Sequence, residues 1–281
     1  MNSICLLGDF GTSDIYQKKV ADSIVNLIKP RKIKFICGLG DNIYDMGVTS
    51  VNDKKFYSHF EEPYQDINLK FYNCLGNHDY GKIYFNHIIP DNYKHQIDYT
   101  KLSKKWYLPK RYYNYSKKIN DVKIDFFVLD TNIDLMDDDE IMKQLLFFKD
   151  KIQKSTADWK ILYGHHTYRS VSGHGNSEPI LENFLNVLFS LGKINLYMCG
   201  HDHTKQYIQK KFGNKLLHII VCGSGSKPYD YVTHLKNMND CKLMCLSKNL
   251  GVGLLNPSKN KIDLEFFDEN NDSEYKYSMK K

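Results

Sequence analysis

Two carboxylates, one carboxamide and three imidazoles follow glycine at the ends of five short apolar runs. Asp9 comes after Ile4–Leu7 and Gly8, Asp41 after Phe35–Leu39 and Gly40, and Asn77 after Phe71–Leu75 and Gly76. His165 follows Trp159–Tyr163 and Gly164; His201 and His203 follow Leu196–Cys199 and Gly200. Each of these side chains offers a lone pair to a cation. Tyr44 lies three residues beyond Asp41, and two-apart histidines in a turning segment can point to one side of the chain and reach neighbouring sites. Taken singly, each has a plain structural reading: a carboxylate that caps a turn, a chance His-x-His, a core tyrosine among 21. In series at successive strand ends they read as a metal site.

The elements that must position them follow from pattern. Each run has strand length and apolar composition, and each is stopped by glycine. Helical patterns lie between. Asp14 is expected to cap a helix carrying Val20, Ile24, Leu27 and Ile28, ended by Pro30. Asp139 is expected to cap one carrying Ile141, Leu145 and Phe148, and a third spans Pro179–Leu191. Strands alternating with helices imply a largely parallel sheet with covered faces, whose carboxyl ends meet at a ligand crevice. Ile124–Leu129 and Leu216–Cys222 read as further strands, and Val252–Leu255 with Ile262–Phe267 as a terminal hairpin. Without repeats or a Pro/Gly/Ser-rich linker, residues 1–270 are expected to form one domain, and 271–281 a mobile C-terminal tail.

Composition narrows the function classes. The 281 residues are 42% hydrophobic and 14% aromatic, too apolar for a disordered chain and long enough to bury a sizeable core. Lys and Arg number 39 against 33 Asp and Glu, a net charge of +6, but arginine occurs only as Arg31, Arg111 and Arg169. Lacking the guanidinium forks that read phosphate backbones and guanine edges, the excess reads as a solvated surface and argues against a nucleic-acid partner. No apolar run approaches the ~18 residues of a membrane span, so no membrane partner is expected. Ile4–Leu7 is too short for a secretory core, and five of the seven cysteines lie in apolar runs. A cytoplasmic or otherwise intracellular compartment is therefore the expectation. Cys241 and Cys245 have no second pair and carry no metal reading.

The blocks Gly8-Asp9-Phe10-Gly11, Gly40-Asp41-Asn42-Ile43-Tyr44, Gly76-Asn77-His78-Asp79, Leu162-Tyr163-Gly164-His165 and Gly200-His201-Asp202-His203 resemble, in order, those of the metallophosphoesterase superfamily. Tyr44 narrows the resemblance to the purple acid phosphatases, and the length to the small tartrate-resistant type. Val48-Thr49 through Phe60, Lys105–Pro109, Leu129–Thr131 and Ser172–Gly175 extend it over roughly residues 4 to 268. The resemblance implies an α/β fold, a four-layer sandwich of two mixed β-sheets flanked by helices. It implies one metal on Asp9, Asp41, Tyr44 and His203, and a second on Asp41, Asn77, His165 and His201, with Asp41 bridging. It also implies a monomeric phosphatase that hydrolyses phosphate monoesters by attack of a metal-bound hydroxide. His78 and His174 are then the candidates for the catalytic acid, Asp79 orients His78, and Asn77, His78 and His174 bind substrate. A phosphodiesterase on the same centre is the alternative.

The ligand types add an argument of their own. Anionic oxygens stabilise the higher charge, so the Asp9/Asp41/Tyr44/His203 site is expected to hold Fe(III). The imidazole-rich site is expected to hold a divalent Fe, Zn or Mn ion. The substrate is expected to be a phosphorylated small molecule or phosphoprotein. The chain departs from the family in His166-Thr167, where an aromatic and a proline often stand, so His166 could compete with His165 as ligand. The stretch after Asp130 is short and acidic, which implies that the inserted loop repressing animal relatives is lacking and that no proteolytic activation occurs. Relatives are often secreted or lysosomal.

Overall fold

Glycine-stopped apolar runs become the inner strands of two sheets in the computed structural model, which describes residues 1–81, 91–191, 194–228 and 240–281. The strands are β1 (Ser3–Leu7), β2 (Ile33–Gly38), β3 (Phe71–Asn73), β4 (Trp106–Tyr107), β5 (Tyr113–Ile119), β6 (Val122–Val128), β7 (Trp159–Tyr163), β8 (Leu196–Cys199), β9 (Lys205–Phe212), β10 (Lys215–Cys222), β11 (Cys241–Ser247), β12 (Gly251–Pro257), β13 (Lys261–Asp268) and β14 (Ser273–Lys280). The helices are α1 (Ile15–Arg31), α2 (Asn92–Tyr99), α3 (Asp138–Lys154) and α4 (Pro179–Ser190).

Two seven-stranded sheets result, ordered β14-β13-β12-β1-β2-β3-β4 and β11-β9-β10-β8-β7-β6-β5. β1 to β4 pair parallel out to one edge of the first sheet, and β6, β7, β8 and β10 pair parallel within the second; the other pairs are antiparallel. The sheets are thus mixed, and the fold is an α/β sandwich. One core joins residues of both sheets, from Ile4 and Ile36 to Phe126 and Tyr163, and α1 packs on β2 and β12. A second core lies between β6–β10 and the helices α3 and α4. Aromatic side chains fill the space between the sheets: Tyr72 stacks on Tyr115 at 4.3 Å and Tyr115 on Phe126 at 4.7 Å. Each such pair adds about 0.5–1.5 kcal/mol beyond its buried area. Their hydroxyls need partners in this setting, and Tyr163 finds the Tyr72 carbonyl at 3.0 Å.

Local signals explain most boundaries. Asp14 accepts from the Tyr16 and Gln17 amides at 3.0 and 2.9 Å and starts α1, while Pro30 falls in its last turn. Two expectations are corrected. α3 is capped by Asp137, not Asp139, because Glu140 lies three residues beyond Asp137 and closes a reciprocal capping box with it. Residues 273–280 are not a tail. They form an edge strand on β13, with Met279 buried opposite Ile262. The period-two pattern of Tyr275, Tyr277 and Met279 is the signal that a reading by position passed over.

Candidate metal centre

The carboxyl ends of β1, β2, β3, β7 and β8 converge, and the chain must turn sharply at each. Asp9, Asp41 and His201 do so with φ of 56°, 49° and 68°, a left-handed conformation that costs a non-glycine residue on the order of 1–3 kcal/mol. Local hydrogen bonds hold it: Asp9 N–H donates to the Gly40 carbonyl at 2.9 Å and Phe10 N–H to the Asp41 carbonyl at 3.2 Å. Small neighbours make room. A methyl group at Gly76 or Gly200 would overlap the Asp41 or the Asp9 carboxylate.

Ligand atoms of Asp9, Asp41 and His165 lie within 4.8 Å of one another, all three residues buried. The Tyr44 hydroxyl donates to Asp41 Oδ2 at 3.0 Å and Asp9 Oδ1 at 3.1 Å, with His203 Nε2 at 3.4 Å. On the other side, His165 Nε2 faces Asp41 Oδ2 at 3.3 Å, Asn77 Oδ1 at 3.1 Å and His201 Nδ1 at 3.1 Å. The Leu39 carbonyl, 2.9 Å from His165 Nδ1, only accepts, so Nδ1 carries the hydrogen and Nε2 turns its lone pair inward. All seven sequence-expected ligands are therefore together. His166 is held by Thr131 Oγ1 at 2.8 Å and lies outside the Asp9/Asp41/His165 set.

The electrostatics describe a cluster that lacks positive charge. Burial raises the Asp41 carboxyl, but His165 and His78 beside it outweigh that and hold it well below the usual range. Burial lowers His165, but Asp41 and Asp9 push it up to about 9. Burial, then Asp41 and Asp9, push the Tyr44 phenol far up. Burial and four neighbouring imidazoles drive His201 far down. Two carboxylates buried beside a phenol and convergent imidazoles fit a pair of cations, which would supply the missing charge.

His78 and His174 flank this cluster. The His78 amide donates to Asp41 Oδ1 at 3.0 Å, and its ring lies 4.4 Å from that of Tyr44. His78 Nδ1 faces the Asp45 carbonyl at 2.5 Å, which leaves Nε2 towards the cluster, 3.9 Å from Asp41 Oδ2. The His174 ring stacks on His201 at 3.9 Å.

The expected role of Asp79 is corrected. Its carboxylate does not orient His78; it is taken up by the amides of Asn42, Ile43 and Gly76 and by the side chains of Asn42 and Gln96, at 2.8 to 3.2 Å. Asp79 is the acceptor that closes the Asn42 and Ile43 amides after the left-handed turn at Asp41, together with the Gly76 amide of its own loop. The main chain of Asp45 takes over the orientation of His78.

Sequence reasoning also missed a buried network under the histidine loops. Asp202 Oδ1 accepts the His174 amide at 2.9 Å and Oδ2 accepts the Ser170 hydroxyl. Gln206 Nε2 then donates to Ser170, Ser172 and Thr204. Asp202 lies between the candidate ligands His201 and His203, and its complete burial is not written in the one-dimensional pattern.

Comparison with known proteins agrees with this geometry. The calcineurin-like phosphoesterase family matches residues 3–205. The pig (Sus scrofa) tartrate-resistant acid phosphatase type 5 is 30% identical over 237 residues, 78% of this chain and 66% of its own length. The chain thus spans about two thirds of that relative. Purple acid phosphatase 4 of Arabidopsis thaliana is 27% identical, over 99% of this chain and 84% of its own. Among solved structures, GAP50, the anchor in the inner membrane complex of Plasmodium, superposes with a TM-score of 0.84 at 22% identity, covering 99% of this chain and 88% of its own. That last likeness is one of fold.

Proposed function

The chain belongs to the calcineurin-like phosphoesterase family, and from that premise we propose that it is a dimetal phosphatase acting on phosphate monoesters. The convergence of Asp9, Asp41 and His165 within 4.8 Å carries the reading. Asp9, Asp41, Tyr44 and His203 would hold one ion. Its donors include two carboxylates and a phenol, a set suited to Fe(III). Asp41, Asn77, His165 and His201 would hold a divalent Fe, Zn or Mn ion. When bound, two such ions lower the pKa of water and neutralise the phosphoryl oxygens.

The protein's own groups do the rest. Leu39 fixes the tautomer of His165, and Asp45 that of His78. His78 Nε2 is then the position from which a proton reaches the leaving oxygen, worth about 10²–10⁴-fold for a poor leaving group. His174, its pKa lowered by burial, stacks over His201, where a ring N–H can donate a hydrogen bond to a phosphoryl oxygen. No serine or cysteine nucleophile is required.

Turnover of p-nitrophenyl phosphate against bis-p-nitrophenyl phosphate, with elemental analysis and a visible spectrum of the purified protein, tests the proposal. Two metals per chain, an absorption band from a phenolate on Fe(III), and preference for the monoester are expected. Preference for the diester would make the chain a phosphodiesterase on the same centre. Well under one metal per chain, without turnover, would make it a binding protein built on the fold.

A further inference from the structure

One tyrosine ring outward from the donor cluster stands an ammonium group. Lys227 Nζ lies 3.7 Å from the centroid of the Tyr44 ring and 3.6 Å from Asp45 Oδ1. Its place is set by the segment before it. Gly225 N–H donates to the Gly8 carbonyl at 3.0 Å, and Ser226 Oγ to the carbonyl of Asp9 at 2.7 Å. The residue adjoining Lys227 is thus bonded to a strand end that carries a ligand.

Among the described residues these two contacts hold the ammonium, and both are modest. Asp45 is 67% exposed, and a screened pair of that kind contributes about 0–1 kcal/mol. The Tyr44 ring beneath it is buried while the Lys227 side chain is 32% exposed, and a cation over a ring adds about 0.5–2 kcal/mol between those limits. Among the described residues Lys227 makes no ion pair with Asp9 or Asp41, so it does not neutralise the buried carboxylates. Instead it shares Tyr44 and Asp45 with His78, whose ring lies 4.4 Å from that of Tyr44 and whose Nδ1 meets the Asp45 carbonyl. Lys227 and His78 thus stand beside the same two residues at the edge of the cluster.

Resting on the phosphatase reading above, we infer that Lys227 is a specificity-determining residue that binds a second anionic group on the leaving-group side of the substrate, as in a phosphoanhydride. A monophosphate ester of a neutral alcohol offers this ammonium nothing. A diphosphate places a further anion beside the scissile bond, where Lys227 replaces its weak pair with Asp45 by a charge-assisted hydrogen bond.

Calorimetric titration of the metal-loaded protein with methylenediphosphonate and with methylphosphonate tests this in the wild type, Lys227→Met and Lys227→Arg. Lys227→Met keeps the alkyl stem over Tyr44. The wild-type preference for the diphosphonate should fall by about tenfold in Lys227→Met and return in Lys227→Arg. A preference unchanged within about twofold, or equal weakening of both ligands, would overturn the inference. Hydrolysis of p-nitrophenyl phosphate by the wild type is measured alongside. If it fails, the phosphatase reading falls, while the titrations still decide whether Lys227 recognises the second anion.

Discussion

The backbone N–H of His201 donates to Asp9 Oδ2 at 2.9 Å, so the carboxyl end of β8 in one sheet is bonded to a side chain from the end of β1 in the other. The other oxygen, Oδ1, faces Tyr44 and His203 at 3.1 and 3.4 Å. Asp9 is both a tie between the sheets and a candidate ligand. Asp9→Asn keeps an acceptor for His201 and removes the charge. The folded protein should then carry one metal fewer per chain by elemental analysis. Asp41→Ala, which deletes the carboxylate facing both groups of donors, should lose both. Wild-type metal content in either variant would refute the ligand assignment.

His78→Ala should retain both metals and lose about 10²–10⁴-fold in kcat on alkyl phosphates, and much less on p-nitrophenyl phosphate. A nitrophenolate leaves without a proton; an alkoxide does not. Equal losses on both substrates would remove His78 from the role of acid.

Asp79 should behave differently from His78 although the two are adjacent. Asp79→Ala strands the amides of Asn42, Ile43 and Gly76 in the interior, each at a cost of about 1–3 kcal/mol. A large fall in Tm is expected, with weakened metal retention and equal rate losses on alkyl and aryl phosphates. A stable variant with a loss confined to alkyl phosphates would return Asp79 to the orienting of His78 that the family resemblance implies.

How much was legible depended on whether a residue's role was local. Trp159–Tyr163 and Leu196–Cys199 are strands with the bounds their composition indicates, and glycine followed by a ligand marks each strand end. Six of the seven candidate ligands stand at such strand ends, which meet at one edge of a parallel sheet, and Tyr44 was added by the family resemblance. What escaped was pairing across the chain. Asp79 stands beside His78 in sequence, yet its carboxylate bonds to the loop after β2. Asp202 reaches Ser170 and His174, and Lys227 reaches Tyr44, over separations that no local pattern encodes. The edge strand β14, by contrast, carries a local period-two pattern and was missed by reading the chain end from its position alone.

Stability should fall in mild acid through His218, which sits in β10, well buried, with Nδ1 2.7 Å from the Tyr207 hydroxyl. Burial holds its pKa below the usual 6.5, only partly offset by the backbone of Lys280. The sign follows from proton binding. Below pH ~6.5 the unfolded chain takes up a proton on this ring that the folded chain refuses. The stability it allows is therefore complete above pH ~6.5 and is lost as the pH falls from there towards the lowered folded value. His218→Gln cannot titrate and keeps a polar partner for Tyr207. In urea unfolding of the metal-free protein, the wild type should lose more of its midpoint between pH ~7.5 and ~5.5 than His218→Gln. Identical pH slopes in the two proteins would show that this imidazole is protonated as readily in the folded sheet as in the open chain.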